Sequence, residues 1–134
     1  DAIERKASKE YTYEQLHIKR KINHKQNELK SRLFKLVEER LGSFKETKEY
    51  KDLIIKEIKE AQNIAKDSEL KVYVGNSDEN LLDDIYKECG LRPALSEHIV
   101  KGGMRAEIPS KNILMDNTFE TKISEAWEKF IITL

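Results

Sequence analysis

The first 41 residues of this chain contain neither glycine nor proline, and they are dense in lysine, glutamate, arginine, glutamine and leucine. These residue types lose little side-chain freedom in a helix, so the run predicts one long helix. Gly42 follows directly and can adopt a left-handed backbone at no steric cost, which makes it the predicted C-terminal cap. Any compact domain must therefore be formed by the residues that follow.

Apolar residues along this predicted helix recur at a spacing of eleven. Eleven residues make about 3.67 residues per turn over three turns, slightly more than the period of the helix itself. Such a stripe drifts slowly around the helix and favours a right-handed supercoil with a second helix. The alternative is an ordinary amphipathic helix that packs on its own domain. The predicted partner-helix seam consists of two series, Ala7, Ile18 and Leu29, and Tyr11, Ile22 and Leu33.

Shorter elements are predicted after Gly42. Apolar residues at intervals of three and four predict a second helix over residues 46–66, with one apolar face. The period then falls to two, which is typical of strands. The further predicted elements are a strand at 70–75, a helix at 78–89, strands at 95–100, 104–108 and 113–115, and a last helix after residue 117. The predicted fold class is α+β, with a long N-terminal coiled-coil helix (1–42) and a small head domain (43–134) of mostly antiparallel sheet covered by helices.

The last helix has the clearest start signal in the chain. Asn117 is its predicted N-cap, and Glu120 stands three residues later, in the relation of a capping box. The apolar stripe that follows includes Trp127 and Phe130. These two aromatic residues are expected either to hold the helix on the sheet from within the core or to form a partly exposed docking patch.

Composition and charge favour a partly extended molecule. Charged residues make up 37% of the chain, against about 25% in a typical domain. Residues 1–66 carry a net charge of +5 and residues 67–134 a net charge of −5, a balance that does not require nucleic acid as a partner. Cys89 is the only cysteine, which excludes an intrachain disulfide and fits a reducing compartment. No apolar run approaches the ~20 residues needed to cross a bilayer.

The sequence contains no residue constellation typical of an active site. Neither of the common glycine-rich phosphate-binding patterns occurs. The histidines His17, His24 and His98 lack the spacing of metal ligands. Cys89 is predicted at a helix C-terminus, the wrong end of the helix dipole for activating a thiolate. We therefore predict no catalytic, cofactor-binding or metal-binding residues, and a protein that is not an enzyme.

The most specific pattern lies between residues 102 and 120. Gly102-Gly103-Met104 precedes a predicted hairpin, and Asp116-Asn117-Thr118-Phe119-Glu120 opens the last helix. Together these motifs resemble the C-terminal signature of the E subunits of V-type and A-type (archaeal-like) rotary ATPases. The order of the preceding helices is also similar, so the resemblance covers essentially the whole chain. The family's hairpin usually has Asp-Gly at its tip, where this chain has Pro109-Ser110-Lys111.

The resemblance implies a non-catalytic component of the peripheral stalk, or stator. In that family the E subunit pairs with a long helix of the G subunit (named H in archaeal enzymes), and its head grips the B subunit of the catalytic ring. The membrane end of the stalk meets the stator part of the membrane motor. By resisting rotor torque, the stalk couples ATP hydrolysis or synthesis to proton or sodium ion transport. The resemblance implies no cofactor, no direct nucleotide and no nucleic acid, and it places the chain in a cytoplasmic, peripheral membrane complex.

Other functions remain open from the residues alone. A generic coiled-coil adaptor with an α+β protein-binding head would give the same helix and head. Family members usually have a longer N-terminal helix, so under the resemblance this chain is expected to be truncated. A nucleic-acid-binding module would use the basic run Lys19-Arg20-Lys21, but only Tyr11 and Tyr13 supply aromatic rings nearby. A small enzyme is the least supported alternative.

Overall fold

The computed structural model describes residues 1–132 and shows a mixed α+β architecture. A long N-terminal helix is followed by a small four-stranded mixed sheet with helices, which confirms the predicted fold class at that level. Short 3₁₀ segments cover Asn76–Leu81 and Pro109–Lys111. The other elements are α1 (Ala2–Phe44), α2 (Lys48–Ala65), β1 (Lys71–Gly75), α3 (Leu82–Cys89), β2 (Ala94–Ser96), β3 (Met104–Ile108), β4 (Ile113–Asp116) and α4 (Phe119–Lys129).

Gly42 lies inside α1 and does not cap it, so that prediction is wrong. The backbone hydrogen bond from Lys45 N to Leu41 O carries the helical pattern past the glycine. A glycine in a helix interior costs only about 1 kcal/mol relative to alanine. Leu41 and Phe44 both pack against the hydrophobic core. Burial of these two side chains offsets the weak propensity of Gly42, and the helix continues to Phe44.

The chain forms two compact units. One contains residues 1–36 together with residues 130–132, and the other contains Val37–Lys129. The division falls within α1, nearer the N-terminus than the domain boundary predicted after residue 42. The second unit holds the whole sheet and the helices α2, α3 and α4, and we call it the head.

The sheet of the head has the strand order β2-β1-β3-β4. β1 pairs with β3 and β3 pairs with β4 in antiparallel fashion, whereas β1 and β2 are parallel. The strand predicted at 95–100 is shorter than expected and ends at Ser96. The hydroxyl of Ser96 accepts a hydrogen bond from His98 N, and its carbonyl accepts one from Ile99 N, so the chain turns away from the sheet there.

The core lies between α2 and one face of the sheet. Tyr50, Ile54 and Ile58 are fully buried along α2 at intervals of four, as expected for the apolar face of an amphipathic helix. Residues at alternate positions of β1 and β3 face them, because side chains of a strand point to opposite faces in turn. The buried hydrophobic residues of the sheet are Val72, Val74, Met104, Ala106 and Ile108.

Candidate functional site

The predicted seam runs along α1 as a largely exposed apolar stripe. Tyr11 is 65% exposed, Ile18 49% and Ile22 43%. Ala7 and Leu33 are also exposed, and Leu29 is half-buried. Since apolar side chains at regular helical spacing are normally covered in a stable assembly, this stripe is a candidate surface for a second helix.

Residues 130–132 pack on another part of α1. The amide Nε2 of Gln26 donates a 2.6 Å hydrogen bond to the carbonyl of Ile132. The ring of Phe130 meets the ring of Phe34 edge to face, with centroids 5.7 Å apart. Gln26 and Phe34 are about two turns apart. Because successive helical residues rotate by about 100°, Gln26 lies beside the stripe and Phe34 lies farther around the helix, away from it. Residues 130–132 therefore cover a different face of α1 and leave most of the stripe exposed.

The two glycines of the signature motif allow close contact between the entry to β3 and the start of α4. Gly102 and Gly103 have φ values of +122° and +87°, a region that side-chain-bearing residues rarely adopt. The carbonyl of Gly102 accepts a 2.9 Å hydrogen bond from Phe119 N. A Cβ atom on Gly103 would collide with the carbonyl of Asn117 and lie 2.8 Å from the Cα of Thr118. Both motifs therefore belong to one packed junction, which we call the glycine junction (Gly102, Gly103 and residues 116–120).

The start of α4 differs from the predicted capping box. Asn117 continues the extended chain, because its N–H donates to Met104 O at 2.9 Å. The helix begins at Phe119, and Asp116 organises its first turn. The carboxylate of Asp116 accepts hydrogen bonds from the N–H and hydroxyl of Thr118 and from the hydroxyl of Thr121. Burial favours a higher pKa for Asp116, but these hydrogen bonds and the nearby charge of Arg105 outweigh it and lower the pKa.

Glu120 has a different partner from the one predicted. Its carboxylate accepts hydrogen bonds from Val100 N at 2.6 Å and from Lys101 N at 3.1 Å. It therefore does not return to Asn117, and the predicted capping box is wrong. The side chain of Glu120 instead ties the segment before Gly102 to the first turn of α4.

A buried pair beneath the glycine junction was missed by sequence reasoning. The hydroxyl of Tyr50 donates to Asp78 Oδ2 at 2.6 Å and accepts a hydrogen bond from Gly103 N at 2.9 Å. Burial, together with the hydrogen bond to Asp78, raises the pKa of Tyr50 above its ordinary value. Tyr50 lies within the second helix predicted over residues 46–66, and nothing in the sequence pattern links it to Asp78. The pair fixes the position of the Gly103 backbone.

Trp127 and Phe130 both lie outside the hydrophobic core cluster of the head. Trp127 is 37% exposed and Phe130 is 38% exposed. Phe119 and Ile123 hold α4 on the core in their place, Phe119 as a buried member and Ile123 packed against it. α4 ends at Lys129, so Trp127 belongs to the head and Phe130 belongs to the unit that contains residues 1–36. Their role as a docking patch stays a prediction.

The remaining candidate residues do not assemble a chemical site. Within residues 1–132, no group of three or more histidine, cysteine, aspartate or glutamate side chains is placed to hold a metal ion. Cys89 is half-buried at the end of α3, and burial raises the pKa of its thiol, so the reactive thiolate form is disfavoured. Across the same residues, none of the helices combines the length and apolar character required to span a membrane.

Neither a scan against protein-family models nor a search of curated proteins finds a match for this chain. The resemblance to the E subunits of rotary ATPases therefore stays a prediction. The structure shows an exposed apolar stripe on a long helix. It also shows a compact head whose signature motifs meet at the glycine junction.

Proposed function

We propose that this chain is a non-catalytic peripheral-stalk component of a V/A-type rotary ATPase. In this role α1 pairs with a long helix of a G-type subunit (H in archaeal enzymes), and the head binds the B subunit of the catalytic ring. The assembly lies on the cytoplasmic side, meets the stator part of the membrane motor and resists rotor torque. It thereby couples ATP hydrolysis or synthesis to ion transport.

The exposed stripe on α1 is the observation that carries the proposal. Ile18 and Ile22 lie one turn apart and are both more than 40% exposed. Covering such side chains stabilises an assembly by about 25 cal/mol for each Å² of apolar surface removed from water. A second helix with matching apolar positions would cover the stripe along its length, as in a supercoiled pair.

The head supports the same proposal in a different way. The start of α4, the glycine turn before β3 and α2 are tied together through Gly102, Glu120 and Tyr50. An anchor that transmits force requires backbone elements that do not slide past one another. The buried hydrogen bonds of Tyr50 and the exposed ones of Glu120 hold these elements together. A generic adaptor would need the same rigidity only if its head also transmitted force.

Co-expression with a G-type helical subunit tests the pairing. We expect a one-to-one complex in native mass spectrometry and a gain of helicity in circular dichroism. The double substitution Ile18→Lys and Ile22→Lys places two charges in the stripe and should abolish the complex. The matched control is Tyr13→Lys with Leu16→Lys, which changes two exposed apolar residues outside the predicted stripe and should preserve it.

A pull-down with purified B subunit tests the head. Binding of both the G-type subunit and the B subunit supports the stalk assignment. Binding of a G-type helix without any binding of the B subunit would favour the generic adaptor instead. Equal complex formation by the stripe variant and the control variant would refute the seam.

A further inference from the structure

A continuous stretch of α1 carries positive charge with no acidic residue. Residues 15–27 contain no aspartate or glutamate. Of residues 1–132, none forms a salt bridge with the four basic side chains of this stretch, all of which are exposed. The next turns differ, because Arg32 pairs with Glu28 at 2.8 Å. We call the stretch the basic band, and its charged members are Lys19, Arg20, Lys21 and Lys25.

The basic band is electrostatically unfavourable in an isolated helix. Lys21 and Lys25 stand four residues apart, where like charges on a helix repel each other by roughly 0.2–0.5 kcal/mol. No carboxylate within the band offsets this repulsion. Glu28 stands three residues after Lys25 but pairs with Arg32, so an acidic partner outside α1 would relieve this repulsion.

The apolar stripe passes through the middle of the basic band. Ile18 and Ile22 are the two residues of the stripe that lie within the basic band. At about 100° of rotation per residue, Lys21 and Lys25 flank these isoleucines on one side and Lys19 on the other. Residues in such flanking positions of paired helices meet the charged residues of the partner, and they set partner choice.

We infer that the helix covering Ile18 and Ile22 carries acidic residues on both sides of its own apolar stripe. The inference rests on the proposed pairing of α1. It adds the charge of the partner helix opposite Ile18 and Ile22. Charge complementarity between three lysines and facing carboxylates selects that partner. A nucleic acid fits the band less well, because it would leave the two isoleucines against phosphates and find no phenylalanine, tyrosine or tryptophan in residues 15–27 to stack on.

Two synthetic helical peptides test the inference with the full chain. Both carry identical apolar positions at the eleven-residue spacing, and their flanking positions are all glutamate in one and all glutamine in the other. We expect the glutamate peptide to bind roughly tenfold more tightly at low salt, from about three exposed charge pairs. This preference should disappear near 1 M salt, because exposed charges are then screened.

A charge-matched pair of variants locates the effect. The triple substitution Lys19→Gln, Lys21→Gln and Lys25→Gln should remove the preference for the glutamate peptide and leave binding of the glutamine peptide unchanged. The control Lys6→Gln, Lys9→Gln and Lys35→Gln removes the same charge outside the band and should retain the preference.

The outcomes separate this inference from the pairing on which it rests. Equal affinity of the wild-type chain for both peptides would overturn the acidic partner and leave the pairing intact. Failure to bind either peptide would count against the pairing itself and would remove the basis of the inference. A DNA duplex that binds more tightly than the glutamate peptide at the same salt, and loses binding in the band variant, would overturn it in favour of a nucleic acid.

Discussion

Gly103 shows how one residue controls the glycine junction. Its φ of +87° is unfavourable for any side-chain-bearing residue, and the backbone of Asn117 and Thr118 fills the space where a Cβ would lie. Gly42 has neither constraint, because nothing lies within 4 Å of a Cβ built there and its backbone is helical. Substitution by alanine is therefore expected to change the stability of the head in opposite directions at these two glycines.

We expect Gly103→Ala to destabilise the head by more than about 1 kcal/mol, since both the backbone conformation and the contact with Asn117 are incompatible with a Cβ. Gly42→Ala should stabilise it by up to about 1 kcal/mol, because alanine is the better helix former. Urea unfolding followed by circular dichroism measures both. Equal stabilities of the two variants would contradict the geometry of the junction.

The carboxyl group of Glu57 is buried in the head, and this burial shifts its pKa. It is 6% exposed on α2, and its Oε2 has no hydrogen-bond partner within residues 1–132. The ammonium of Lys122 lies 3.7 Å from its Oε1. Burial raises the pKa of Glu57, and the charge of Lys122 offsets only part of that effect. The folded head therefore holds this proton to a higher pH than the unfolded chain does.

Substitution of Glu57 by glutamine tests this pKa. Because the folded pKa lies above the unfolded one, ionised Glu57 lowers stability as pH rises through the folded pKa, and the penalty vanishes below about pH 4. We expect Glu57→Gln to be more stable than the wild type at pH 7 and to lose that advantage in acid. Glu49→Gln, at an exposed position of the same helix, serves as control. An advantage independent of pH would show that packing of the amide is responsible instead.

At the scale of elements, local signals were predicted correctly and long-range partners were not. The helix-forming run before Gly42 and the alternation of β3 are both visible in short stretches of sequence. The end of β2 at Ser96 and the start of α4 at Phe119 depend on hydrogen bonds that form only in the folded chain. Glu120 illustrates the limit, because its spacing from Asn117 matches a capping box while its carboxylate binds Val100 and Lys101.

α1 should show unequal stability along its length. In the isolated chain we expect backbone amides of residues 1–25 to exchange rapidly with solvent, because an exposed helix gains little stability from propensity alone. Exchange should be slower near Phe34, which is buried and packs against Phe130. Addition of the partner helix should protect residues 1–25. Strong protection of that segment in a monomer would contradict an unpartnered stripe.

At the scale of the whole molecule, the head has a core of its own. Its buried cluster draws on α2, β1, α3, β3 and α4, all of which lie within Val37–Lys129. We therefore expect a fragment of residues 37–129 to unfold in a single cooperative transition in urea. Gradual, non-cooperative loss of circular dichroism would show that the head needs residues 1–36 to fold.

The contacts of Phe130 with Phe34 and of Ile132 with Gln26 join residues that are about a hundred positions apart in the chain. During translation, α1 emerges from the ribosome long before residues 130–132 are synthesised. Its face around Phe34 stays uncovered throughout that interval. Synthesis thus imposes an order of assembly, in which α1 emerges first and this aromatic contact closes last.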